Sequence, residues 1–76
     1  MPAKKSAEAQ ALGEAMRSLR RERGLAQEAF AARARLDRSF YGAIERGEFN
    51  VTLDTLVKVA AGLGVRPSTV LRRAKL

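Results

Sequence analysis

Gly24, Gly47, Gly64 and Pro67 cut the chain into short runs with helical apolar spacing, none of which can bury its own stripe alone. Such a chain folds only by packing its helices on one another. From Ser6 to Arg23 no proline or β-branched residue interrupts a run rich in Ala, Glu, Arg and Leu. Leu12, Met16 and Leu19 form its apolar stripe, Ser6 is its N-cap, Gly24 ends it, and Ala7 to Ala11 is the part expected to fray. A second helix is expected over Ala26 to Ala34, with Phe30, Ala31 and Ala34 facing inward. Leu36 falls in a turn, and Asp37 caps a third helix from Arg38 to about Arg46. Thr52 caps a fourth, Leu53 to about Gly62, whose inward stripe reads Leu53, Leu56, Val59, Ala60 and Leu63. Pro67 opens a fifth, to about Arg73, which carries Val70 and Leu71. β-branched residues never alternate over a strand length, so the expected fold is all-α, with five helices.

At 76 residues the chain has room for one small core. Residues 1–5 read as a flexible basic tail and 6–76 as a single domain. There is no Cys for a disulfide and no His for a zinc site, so no metal or cofactor is expected. The same absences remove the usual catalytic acids, bases and nucleophiles, and no pair of carboxylates marks a cleft, so an enzyme is not expected. Helix packing and dimerisation remain as sources of stability. No apolar run approaches the ~20 residues that cross a bilayer, and no signal core follows Lys4 and Lys5, so a cytoplasmic protein without membrane contact is expected.

Lys and Arg total 15 against 8 acidic residues, a net charge of +7, and most of the cations are Arg. That field attracts polyanions, and the guanidinium fork suits phosphates and guanine edges, although simple solubility also accounts for such a charge. The third helix is where the charge becomes informative. With Ile44 as its inward centre at ~100° per residue, Asp37, Phe40 and Tyr41 fall on the inner side. Arg38, Ser39, Gly42 and Arg46 fall on the outer side, leaving one face apolar and the other small and basic.

Gln27 to Gly47 therefore reads as helix, tight turn, helix, with Ala31 small enough for close approach and Leu36 and Ile44 filling the angle. Residues 17–65 resemble the Cro/C1 (XRE) helix-turn-helix family. The matching features are Arg17-x-x-Arg20, Gly24-Leu25, Gln27-Glu28, Ile44-Glu45-Arg46-Gly47 and Leu63-Gly64-Val65. Within it, "LDRSFYGAIERGEFNVT" is similar to controller proteins of restriction–modification systems.

The resemblance implies a compact five-helix domain that binds double-stranded DNA as a transcriptional regulator, docking its third helix in the major groove. Arg38 and Ser39 would meet base edges, with Gly42 and Ala43 letting the backbone approach the groove floor. Gln27, Phe40, Arg46 and Asn50 take the positions that meet phosphates. Phe40 lacks the hydroxyl of the Tyr usual there, and its position beside Ile44 gives it, like Tyr41, a core reading. Arg20 and Glu45 match the family's buried ion pair. Ala26 lacks a capping side chain, and Arg35 stands where the family places Gly or Asn, so a positive φ there would strain it.

Plainer readings stand beside these. Arg17, Arg21 and Arg23 also suit a solvated face interleaved with Glu14 and Glu22, Arg38 a surface ion pair, Ser39 a cap and Asn50 a loop turn. Arg72, Arg73 and Lys75 suit a helix C-terminus. Val70, Leu71 and Leu76, with the edge of the fourth helix, are the expected homodimer surface, which would space two recognition helices for a pseudo-palindromic operator. RNA polymerase is a further partner if the regulator activates, though no patch marks the contact. A different class, an antitoxin-type module that binds a protein first and DNA second, calls for an arm or tail outside the helices. RNA binding fits the charge, but the aromatic platform it needs is not evident.

Overall fold

Ser6, Asp37 and Thr52 each accept a hydrogen bond from a backbone N–H three residues on, and each opens a helix. The computed structural model describes residues 6–76; the expected basic tail, residues 1–5, lies outside the described residues. The helices are α1 (Ala7–Glu22), α2 (Gln27–Arg33), α3 (Arg38–Glu45), α4 (Leu53–Leu63) and α5 (Pro67–Arg73), with no strand among the described residues. Ala26 is the N-cap of α2 and makes no side-chain capping bond. Positive φ follows α1, α3 and α4 at Gly24, Gly47 and Gly64. Arg35, in the turn between α2 and α3, has φ of 60°, the left-handed strain its sequence position implied. The first turn of α1 is helical, with Ala9 buried, where fraying was expected.

α1 packs against α3, α4 and α5, α2 against α3, and α4 against α5. Tyr41, Phe30, Met16, Ile44, Val59 and Val70 are fully buried at the centre, with the Phe30 and Tyr41 rings 5.0 Å apart. Arg23 is not merely a solvated cation. Its Nε donates to the Leu63 carbonyl at 2.6 Å and its Nη1 to Leu19, tying the ends of α4 and α1 together. Arg73 binds Glu22 at 2.7 Å and fastens α5 to α1.

Three expectations need correction. Val70 is completely buried in the chain's own core, so it offers nothing to a partner subunit; Leu71 is half-buried against that core, and Leu76 is exposed. Leu53 is 74% exposed. At 100° per residue it lies about 70° from the mean direction of Leu56, Val59, Ala60 and Leu63, at the first helical position, past the edge of the buried stripe. Phe40 and Asp37 sit outside the core: Phe40 leans on Phe49 with ring centroids 5.7 Å apart, and Asp37 is taken up by the cap.

α1 and α3 meet backbone to backbone at Gly13, where a Cβ would lie 2.6 Å from the Glu45 carbonyl oxygen. Beside that crossing, Arg20 grips Glu45 with Nε to Oε2 at 2.7 Å and Nη2 to Oε1 at 3.0 Å, and gives its third bond to the Leu25 carbonyl. Burial alone would push the Glu45 carboxyl up. Arg20, Tyr41 and Gln27 together overcome this and hold it below its ordinary value. The Tyr41 hydroxyl is buried beside the pair without a well-aligned bond of its own, and that burial pushes its pKa up.

Gly13→Ala lowers stability by roughly 1–3 kcal/mol through overpacking, although alanine is the better helix former; an unchanged or raised midpoint in urea contradicts the close approach. For Glu45, the folded pKa lies below the unfolded one. Its contribution is therefore complete above the unfolded value of about 4.3 and is lost as pH falls through the folded value. Glu45→Gln strands the Arg20 charge, costs roughly 3–5 kcal/mol at neutral pH and flattens the acid limb of the stability curve. Urea melts from neutral to acid pH that run parallel for both proteins contradict this.

Candidate nucleic-acid interface

Gly42 has no side chain, and that absence shapes the outer face of α3. An added Cβ would lie 3.2 Å from Gln27 Oε1 and 3.3 Å from Arg46 Nη1, so both polar side chains fold down over this point. Gln27, Arg38, Ser39, Gly42 and Arg46 line one shallow depression between the start of α2 and the exposed side of α3. Gln27 reaches it at the N-terminus of α2, and its Nε2 donates to Glu45 Oε1 at 3.0 Å. The buried carboxylate therefore holds the core pair with two of its bonds and orients this surface amide with a third.

Each cation here faces an acid. Arg38, well exposed, has its Nε 3.9 Å from Glu28 Oε2. Arg46 Nε donates to Glu48 Oε2 at 2.7 Å, with Nη2 to Oε1 at 3.4 Å, and that carboxylate holds the guanidinium pKa above its ordinary value. At the other edge Arg17, half-exposed, places its Nε 3.5 Å from Glu45 Oε1, so it joins the network around the site.

Of the residues expected at DNA bases, Arg38 and Ser39 are exposed at the first turn of α3. Gly42 and Ala43, expected to let the backbone approach the groove floor, are both buried, Gly42 beneath the side chains of Gln27 and Arg46. Of those expected at phosphates, Gln27 and Arg46 share the depression, while Phe40, 37% exposed against Phe49, does not line it, and Asn50 is exposed in the loop beyond α3. The sequence reading missed the acidic counterparts Glu28 and Glu48 and the link from Gln27 to Glu45. Glu48 was visible two residues beyond Arg46; Glu28 lies ten residues from Arg38, and only the turn brings them together.

Among the described residues no helix is long and apolar enough to cross a membrane, and no group of acidic, His or Cys side chains could hold a metal ion.

The Helix-turn-helix family matches residues 16–70. The chain is 48% identical over 54 residues to the control protein C.MunI of Mycoplasma sp, covering 70% of this chain and 73% of that protein. It is 40% identical over 65 residues to the control protein C.SmaI of Serratia marcescens, covering 86% of this chain and 77% of that one. The crystal structure of the restriction–modification controller protein C.AhdI from Aeromonas hydrophila superposes with a TM-score of 0.83 at 38% identity, over 86% of this chain and 98% of that chain. The chain belongs to the Cro/C1 (XRE) type of the helix-turn-helix family, the DNA-binding transcriptional regulators that include restriction–modification controller proteins.

Proposed function

We propose that this regulator binds a pseudo-palindromic operator as a homodimer, each copy laying α3 in the major groove of one half-site. The observation that carries this reading is the depression over Gly42, where a basic residue and a small polar residue stand exposed on a short helix whose other face is locked into the core. Arg38 has the fork to bond guanine O6 and N7, and Ser39 beside it reaches an adjacent base edge. Gln27 and Arg46 flank them and suit phosphate oxygens, with Asn50 a more distant candidate. The net charge of +7 supplies the long-range attraction that brings the domain to DNA.

Likeness to controller proteins favours an operator upstream of the protein's own gene, where bound regulator controls its own synthesis.

Footprinting on that upstream DNA gives two symmetric protected half-sites if the reading is right. Arg38→Ala then weakens the operator by about 1–3 kcal/mol while barely changing unrelated DNA, and Gln27→Ala weakens both alike. Equal losses on every sequence for Arg38→Ala contradict its base-reading role. Glu48→Gln releases Arg46 for phosphate, so it tightens binding to all sequences a few-fold, as roughly one more phosphate contact would, and steepens the salt dependence. Binding that is unchanged or weaker in a salt titration contradicts a restraining role for Glu48.

A further inference from the structure

Phe40 and Phe49 stand exposed on α3 and on the loop that follows it, with ring planes inclined at 46°. Phe40 follows Ser39 in the first turn of α3, and Phe49 lies between Arg46 and Asn50, beyond the end of that helix. The loop thus folds back along α3 and sets its ring against the helix's opening turn. Neither ring joins the central core, whose aromatic pair is Phe30 and Tyr41. Because the planes are inclined, their exposed parts meet at an angle and leave a shallow apolar notch.

A benzyl side chain has no donor to give a phosphate, so the phosphate role expected at position 40 does not suit it. In a major groove the apolar group that base edges present is the thymine C5-methyl.

We propose that Phe40 and Phe49 together take a thymine methyl in each half-site, which makes the loop after α3 a second base-reading element. The proposal rests on the reading of α3 as the groove-docking helix and names one base that it selects.

The surroundings argue for a base rather than a protein. The two rings sit among exposed Asp37, Arg38, Ser39, Arg46 and Asn50. A protein interface places its apolar residues in a broad centre poor in charge, and two rings hemmed by charges do not make one. The same neighbours make the pair continuous with the surface that meets DNA, since Ser39 precedes one ring and Arg46 and Asn50 flank the other. Cytosine, without the methyl, leaves the notch empty, and a purine turns its polar N7 edge toward it.

Deoxyuridine tests this from the DNA side, because it pairs as thymine does and lacks only the methyl. Each symmetric pair of thymines in the footprinted operator is replaced in turn, and binding is titrated. One such replacement weakens the wild type by about fifteenfold, or about fourfold for the methyl lost from each half-site. Phe40→Ala and Phe49→Ala, shown folded by circular dichroism, bind the thymine and deoxyuridine duplexes within about twofold of each other. A footprint without a symmetric thymine, a wild type indifferent to every replacement, or a penalty undiminished in either variant overturns the methyl contact and leaves the docking of α3 standing. A wild-type dimer that Phe49→Ala dissolves in sedimentation without DNA assigns the rings to the partner subunit and overturns the contact as well. If no upstream duplex is bound, the docking reading falls and the contact falls with it.

Discussion

The Glu45 carboxylate is the point on which the rest of the structure turns. It is buried, and removing a carboxylate from water costs several kcal/mol unless nearly every lone pair finds a donor. Arg20 supplies two donors from α1 and Gln27 a third from α2, so three helices are referenced to one pair of oxygen atoms. A pair of this kind adds little net stability over an apolar contact of the same size. Its effect is geometric. Together with the Gly13 crossing, it fixes how far α3 lies from α1 and which side of α3 faces outward. The same carboxylate sets the position of Gln27, so the core reaches the surface through a single hydrogen bond.

That arrangement separates two kinds of charge. Arg20, Arg23 and Arg73 spend theirs on carbonyls and carboxylates that hold helices together. Arg38 and Arg46 sit on the outer face of α3 within reach of Glu28 and Glu48. Such exposed pairs contribute at most about 1 kcal/mol to the fold. They do affect what the face can bind, because a polyanion must compete with the acid for each guanidinium. Competition weakens indiscriminate attraction to phosphate and leaves a larger share of the affinity to contacts that depend on sequence.

Much of this was legible in the chain itself. Caps at Ser6, Asp37 and Thr52 and stops at Gly24, Gly47 and Gly64 are local signals, and local signals place helices to within a residue or two. The Arg20–Glu45 pair was readable through family likeness, since nothing in a spacing of 25 residues announces a contact. What stayed hidden depends on which helix covers which. Phe40 looked inward by azimuth and Leu53 by its spacing from Leu56, but Phe40 lies in the first turn of α3 and Leu53 at the first position of α4, past the edge of the buried stripe, and both are exposed. Val70 looked available because it is near the end of the chain, whereas α5 folds back over α1 and α4 and buries it. The Gln27–Glu45 link and the Glu28 counterion arise from the turn between α2 and α3, which no periodicity encodes.

The central claim is that one side of a short helix, held rigid from behind, is the surface that meets DNA. Amide resonances followed while the isotope-labelled protein is titrated with duplex from upstream of its gene test it most directly. The account predicts that the largest shifts gather at Gln27 and along Arg38 to Arg46, with those of the Arg23–Leu63 tie unmoved. Shifts concentrated on α5 or on the outer face of α1, with α3 silent, would contradict it.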